Sequence, residues 1–341
     1  MTPIDLRSDT VTTPTAGMLN AMMKAKIGDD VFGEDPSVNE LQEKTAQIFG
    51  HEAGLFCPSG TMTNQIAIQV HTRPGDEVIC HENAHIYNYE GAGIARNALA
   101  SVRLVVSDLP TMTAPEVENL IREPADYSPR TALISVEDTS NRGGGACYSF
   151  SDLKEISELA KSQNLVFHLD GARVFNAIIA KGQDPIAYGK LFHSISICLS
   201  KGLGAPVGSV LIGDKNFIKE ARRVRKVMGG GMRQAGFLAA AGIYALENHI
   251  ERLAQDHENA KHLAGYLTGL KEVTHIIEPE TNIVIFDVNP QKGSAYFIHR
   301  LEQSGLRAVS FGKNRIRMVC HLGITKKDIP TAGAILQKVL D

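Results

Sequence analysis

What this chain lacks narrows what it can be. No apolar run approaches the ~18 residues of a membrane-spanning helix, so the sequence reads as having no transmembrane segment. Neither sign of charge dominates: 35 Lys and Arg stand against 38 Asp and Glu, a net charge of −3. That balance argues against nonspecific nucleic-acid binding and against attraction to a membrane surface. The first residues, Met-Thr-Pro-Ile-Asp-Leu-Arg-Ser-Asp, carry no charged stretch followed by an apolar one, so secretion is not expected. Cysteine is sparse and scattered, at Cys57, Cys80, Cys147, Cys198 and Cys320, with no Cys-x-x-Cys. Three of the five lie in apolar, strand-like runs where buried free thiols are common, and a cytoplasmic location is expected. Internal repeats, low-complexity segments and disordered linkers are also missing.

What is present is alternation. The 341 residues are 43% hydrophobic, enough for one large core and a smaller domain. Apolar runs predict seven strands, at 54–57, 77–80, 102–106, 132–136, 165–169, 194–199 and 207–212, with helical patterns between many of them. One helix is expected over 36–50, with Pro36 in its first turn, Gly50 ending it, and Val38, Leu41, Thr45 and Ile48 on one face. Another is expected over 151–162. The pattern predicts an α/β fold with a mostly parallel seven-stranded sheet. From Met232 the texture changes to a long helical stretch reaching about Leu270. Short strands at 283–288 and 315–319 follow, with a helix near 296–303 between them and a last helix from Asp328. This predicts a large domain over 1–250, with its N-terminal segment, and a small C-terminal α/β domain over 251–341.

The chemistry concentrates at two strand ends. The run Leu-Val-Phe-His-Leu-Asp closes on Asp170, and the run Ile195–Leu199 closes on Ser200-Lys201, 31 residues later. One helical crossover fits in that interval, so both strands can lie parallel in one sheet, where sites form at the carboxyl ends. A lysine and a carboxylate brought together there suit pyridoxal 5'-phosphate (PLP): the lysine makes the Schiff base and the acid pairs with the pyridinium nitrogen. Taken singly, each residue reads more simply as a surface lysine or a helix cap. Pro58-Ser59-Gly60-Thr61 follows a short strand and opens a helical pattern, a phosphate cradle or an ordinary N-cap. His85, just past the strand at 77–80, can stack on a flat cofactor or accept a proton.

Other motifs compete. His81-Glu82-Asn83-Ala84-His85 matches the zinc-protease His-Glu-x-x-His, which needs both histidines on one helix face. Here it comes directly after a strand, Asn83 is a poor helix former, and no third ligand follows; no metal is assigned. Gly202-x-Gly204-x-x-x-Gly208 fails as a dinucleotide loop at Val207. Gly229–Gly231 adjoins a basic cluster of Arg222, Arg223, Arg225, Lys226 and Arg233, either a solvated helix face or a source of cations for an anion. Arg173 and Arg317 are candidates to grip a carboxylate or to form structural salt bridges.

Together these residues resemble the low-specificity L-threonine aldolases, fold-type-I (aspartate aminotransferase-like) PLP enzymes. The likeness runs nearly end to end, through Asp5-Leu-Arg-Ser-Asp-Thr-Val-Thr, Gly28-Asp-Asp-Val-Phe-Gly-Glu-Asp-Pro, Pro58-Ser-Gly-Thr-Met, His168-Leu-Asp-Gly-Ala-Arg, Cys198-Leu-Ser-Lys-Gly-Leu-Gly-Ala-Pro-Val-Gly and Gly229-Gly-Gly-Met-Arg-Gln-Ala-Gly. It implies that Lys201 carries the cofactor and Asp170 its ring nitrogen. Ser59, Gly60, Thr61, Ser200 and Arg233 are implied around the cofactor, with Arg173 beside it and His85 over the ring. Ser8, Arg173, Arg317, Tyr89 and Lys226 are implied for the substrate, Lys226 and Arg233 reaching in from a neighbouring subunit of a dimer or a dimer of dimers. Two segments depart from the family: Tyr127 stands where relatives often carry a histidine, and Glu137-Asp138-Thr139-Ser140-Asn141 replaces Glu-Asn-Thr-His-Asn. His85 and Tyr127 are expected to share the work at a substrate β-hydroxyl. The implied activity is cleavage of L-threonine, L-allo-threonine and related L-β-hydroxy-α-amino acids to glycine and an aldehyde. An aminotransferase or another PLP lyase is the same-fold rival. A zinc hydrolase and an inactive binding scaffold are the rivals of other classes.

Overall fold

The computed structural model describes residues 3–341. After a short β1 (Ile4–Asp5) come β2 (Ala53–Cys57), β3 (Glu77–His81), β4 (Ser101–Val105), β5 (Thr131–Glu137), β6 (Val166–Gly171), β7 (Ser194–Cys198) and β8 (Ser209–Gly213). The last seven form one sheet in the order β2-β8-β7-β6-β5-β3-β4, and β8 alone runs against its neighbours. All seven expected strands are therefore present, with ends moved by one or two residues. Every residue of β3, β7 and β8 is buried. Helices cover both faces of such a sheet, which is why its strands read as continuous apolar runs and not as alternating ones. Each fully buried Ile, Leu or Phe here contributes about 1.5–3 kcal/mol over leaving it exposed.

The helices begin where their caps dictate. Asp35 Oδ1 accepts the Val38 N–H at 3.0 Å, and Pro36 opens the helix Pro36–Ile48 at a position whose N–H has no intrahelical partner. Ser59 does the same for the helix Gly60–His71, its hydroxyl accepting from Met62 N–H at 3.2 Å. Because β3 and β5 to β7 run parallel, their carboxyl ends share one edge. Pairing there sets Asp170 of β6 beside Glu137 of β5 and Ser196 of β7.

A second core is built on β9 (Val273–Ile277), β10 (Ile283–Val288), β12 (Val309–Gly312) and β13 (Arg315–Val319), an antiparallel sheet ordered β12-β13-β10-β9. Phe286, Phe297, Met318 and Leu336 fill it, with Leu263 from the preceding helix. The strands β9 and β12 were not expected from sequence; their half-exposed residues give no apolar run.

Two features differ from the sequence reading. The long helical stretch is two helices, Gly236–Asn248 and Leu253–Leu267. The break places buried His249 so that its Nδ1–H donates to the Leu203 carbonyl at 2.7 Å, a tertiary bond that the helical periodicity cannot reveal. The N-terminal segment, assigned with the large domain, pairs elsewhere. β1 lies parallel to β11 (Leu306–Arg307), and Leu6 packs in the second core. Among the described residues no helix is long and apolar enough to cross a membrane.

Candidate active site

Lys201 sits in the loop joining β7 to antiparallel β8. Gly204 and Gly208 take φ of +76° and +111° there, where a side chain is strained. Besides the His249 bond, the Thr12 hydroxyl donates to the Lys201 carbonyl at 3.4 Å. The lysine lies close enough to Asp9 for its charge to help hold that carboxyl low.

Across the strand ends is a buried polar cluster. Asp170, 3% exposed, accepts from Asn64 Nδ2 at 2.9 Å and from Ala172 N–H at 3.2 Å. Asn64 Nδ2 also donates to Glu90 Oε1 at 2.9 Å. Glu90 takes a second bond from Gln65 Nε2, at 2.6 Å, and its Oε1 meets His85 Nδ1 at 2.9 Å. Glu137 fastens two neighbours: it accepts the backbone N–H of His85 at 2.8 Å and of Asn141 at 3.0 Å. Burial pushes the Glu137 carboxyl up, and the charge of Asp170 adds to this. Burial would push His85 down, but the carboxylates of Glu90 and Asp170 outweigh it and its pKa is raised. With Nδ1 held by Glu90, the Nε2 of a neutral His85 is left as an acceptor.

The candidate anion cradle is the start of the helix Gly60–His71. A Cβ on Gly60 would lie 2.5 Å from Cys198 Sγ, so only glycine lets the turn lie against β7. Thr61 is exposed, and the N–H groups of Gly60 and Thr61 come before the first intrahelical acceptor. Gly230 packs against Met62 of this helix, which brings the 229–231 loop alongside. Arg233 there donates to Asp29 Oδ2 at 2.9 Å and, like Lys226, is exposed. Ser200 is half-buried beside Lys201.

The arginines divide. Arg173 Nε and Nη2 both bind Asp9, at 2.7 and 2.9 Å, with both side chains buried. Of the two readings of Arg173, the structure holds the salt bridge along its Nε–Nη2 edge, while Nη1 makes no bond to the Asp9 oxygens. Half-buried Ser8 adjoins this pair. Arg317 instead has neutral partners, the Asn141 side-chain oxygen at 2.9 Å and the Arg7 carbonyl at 3.1 Å, and its buried Nε has none. Burial and the nearby Arg173 push it down to about 10. Its guanidinium lies 4.7 Å from the Phe311 ring centre, and Arg142 lies 4.4 Å from the same ring and 5.6 Å from that of Tyr89. Such a site favours an incoming carboxylate. Arg317→Ala is expected to raise KM by roughly 10-fold or more, the loss of a charge-assisted bond worth about 1.5–3 kcal/mol, with a smaller change in kcat. Steady-state kinetics check this; an unchanged KM in a less stable protein would make the arginine purely structural.

Two sequence readings fail in space. His81 ends β3 while His85 opens the short helix His85–Asn88, so the two histidines share no helix face. His81 Nδ1 accepts from Asn83 N–H at 3.0 Å, and the zinc-hydrolase arrangement is not assembled. Tyr127 is 92% exposed and precedes Thr131, the first residue of β5. Glu137 and His85 lie at the other end of that strand, roughly 20 Å away at about 3.3 Å per residue. Tyr127 therefore does not join His85 within one chain. Sequence reasoning missed Asp9, Asn64, Glu90, Asn141 and Arg142, and gave no role to Glu137. Asp9, Asn141 and Glu137 do lie inside the quoted motifs, but their partners are distant in sequence.

Fold and site together define an α/β protein with a lysine and a buried acid at the carboxyl edge of a sheet, the fold-type-I architecture. The family described as Beta-eliminating lyase matches residues 5–291. The chain is 41% identical to low-specificity L-threonine aldolase 1 of Arabidopsis thaliana, over 100% of this chain and 97% of that one. It is 40% identical to the low specificity L-threonine aldolase of Escherichia coli, over 97% of each. A solved Leishmania major threonine aldolase superposes with a TM-score of 0.85, covering 99% of this chain and 100% of that one at 19% identity, a likeness of fold. The chain belongs to the beta-eliminating lyase family, among its low-specificity L-threonine aldolases.

Proposed function

We propose that this chain is a PLP-dependent L-threonine aldolase that splits the Cα–Cβ bond of L-threonine, L-allo-threonine and related L-β-hydroxy-α-amino acids into glycine and an aldehyde. The observation that carries the reading is Lys201 and buried Asp170 at one sheet edge, beside an arginine whose Nε is buried without a partner. The residues fit the cofactor. Lys201 would anchor it, Asp170 would face its ring nitrogen, and His85 would lie against the ring. Ser59, Gly60, Thr61 and Ser200 would hold its phosphate, with Arg233 of a second copy supplying a cation. When bound, PLP supplies an electron sink for the pair left on Cα.

The chain does the rest. Arg317, helped by Ser8 and the free Nη1 of Arg173, receives the substrate carboxylate and so fixes the angle of the Cα–Cβ bond. Tyr89, and Lys226 from a second copy, line the approach. His85 Nε2 takes the β-hydroxyl proton as the C–C bond breaks. Because the pKa of His85 is raised above its ordinary 6.5, activity should fall as pH drops through that higher value. Glu90→Gln removes an anion that raises it, so the acid limb of the kcat/KM profile should move to lower pH. A limb that stays in place would take the base role away from His85.

The same reading makes the protein a cytoplasmic homo-oligomer with a boundary near residue 250. All five cysteines are buried and free, which suits a reducing compartment. Met23, Phe32 and Val227 are 80%, 75% and 87% exposed, large apolar side chains suited to cover by a second copy. The break between Asn248 and Leu253 supports the boundary. The decisive experiment is direct. The chain purified with PLP should be yellow, bleach with borohydride, and release aldehyde from L-threonine, L-allo-threonine and L-phenylserine. A colourless protein that releases none overturns the proposal.

A further inference from the structure

Behind Asp170 runs a line of polar groups, buried except for half-buried His71, that the reaction does not use directly. His71 Nε2 lies 2.9 Å from Ser194 Oγ, and Ser194 Oγ lies 2.8 Å from His168 Nδ1. His168 Nε2 lies 3.3 Å from Asn64 Oδ1, and Asn64 Nδ2 reaches Asp170 and Glu90, each at 2.9 Å. His168, Ser194 and Asn64 are at most 2% exposed.

The direction of every bond follows from the carboxylate end. An amide oxygen turned toward Asp170 and Glu90 would face two carboxylate oxygens, so Asn64 presents its NH2 there. Its Oδ1 then needs a donor, which among the described residues only His168 Nε2–H supplies. Burial pushes His168 down to about 4 and His71 down to about 3, so both rings are neutral near pH 7 and each carries one proton. With the His168 proton on Nε2, its Nδ1 is an acceptor and receives the hydrogen bond that the Ser194 hydroxyl donates. The lone pairs of Ser194 then face His71, which must carry its own proton on Nε2. His71 is held in this pose by stacking on Phe217, ring centres 4.3 Å apart and planes 3° from parallel.

We propose that His71, Ser194, His168 and Asn64 are positioning residues, a one-way hydrogen-bond chain that clamps the Asp170 and Glu90 carboxylates side by side. Two acidic groups that would otherwise repel are bridged by one amide, and the ring orientation of His168 keeps that amide from turning. Through Glu90 the clamp also reaches His85. Its consequence for the reaction rests on the reading that Asp170 meets the cofactor nitrogen; the chain itself does not.

The test has two arms. In the wild-type protein without cofactor, with histidine labelled with 15N, NMR at pH 7.5 should show His168 and His71 as neutral Nε2–H tautomers. A His168 proton on Nδ1 overturns the proposal. In the second arm, His168→Gln keeps an N–H near the Nε2 position, whereas His168→Leu and Asn64→Leu do not. The leucine variants should weaken PLP binding by roughly tenfold or more, as expected for a lost bond to a charged-group network, and should shift the pH midpoint of the cofactor absorbance band. His168→Gln should stay within about threefold of wild type on the same scale. Equal loss in His168→Gln and His168→Leu, or no loss in either, overturns the clamp. Should a leucine variant not fold, the tautomer measurement still decides. A wild-type chain that binds no PLP would fail the functional reading while leaving the tautomer arm intact.

Discussion

Lys201→Ala is expected to abolish aldehyde release from L-threonine while leaving the fold unchanged. The lysine is half-buried in a loop, outside every hydrophobic core, so its truncation should move stability by no more than about 0.5 kcal/mol. The conformation of the loop does not depend on the amine: the Thr12 and His249 bonds reach the backbone carbonyls of Lys201 and Leu203. What is expected to disappear is the proposed covalent anchor for the cofactor and, with it, the visible absorbance band. Circular dichroism, the thermal midpoint and single-turnover assay together separate loss of chemistry from loss of fold. Residual turnover near the wild-type rate would sink the lysine's role.

The second large effect is on stability. Asp9→Ala strands Arg173, 7% exposed, without the carboxylate that binds two of its nitrogens. Removing one partner of such a buried pair costs about 3–5 kcal/mol, because the remaining charge stays desolvated. Denaturant unfolding should show a lower midpoint with an unchanged slope. Asp9→Ala combined with Arg173→Met should recover much of the loss, since no buried charge is then left alone. The pH dependence has a definite sign. Burial pushes the Asp9 carboxyl up, but Arg173 wins and brings it down to about 2 from 3.8. The pair's contribution is therefore full above pH 3.8 and is lost as pH falls through about 2. A single variant as stable as wild type would mean that water compensates Arg173.

Legibility in the sequence followed burial. The seven large-sheet strands could be read because both faces are covered, leaving apolar runs bounded by turn residues. Lys201 and Asp170 could be read because they end such runs. The edge strand Val309–Gly312 alternates between half-buried and exposed residues, and its sequence resembles a loop. The polar architecture of the site was mostly hidden. Asp9 meets Arg173 across 164 positions and Asn64 meets Asp170 across 106, and no local pattern marks either member. Tyr127 was misplaced for a related reason. Standing near a strand in sequence does not say at which end of that strand a residue lies, and Tyr127 precedes β5 while the site follows it.

The pairing of β1 with β11 also bears on how the molecule comes into being. Ile4 and Asp5 find their strand partners at Leu306 and Arg307, and the Val319 amide closes on the Leu6 carbonyl at 2.8 Å. During synthesis from the amino end, β1 must wait until Leu306 and Arg307 have left the ribosome. Contacts this distant form late, after local structure is in place. Arg7, whose carbonyl orients Arg317, belongs to that same segment. Arg317 thus acquires its full set of acceptors only when segments 310 positions apart meet, which ties completion of the candidate pocket to a late stage of folding.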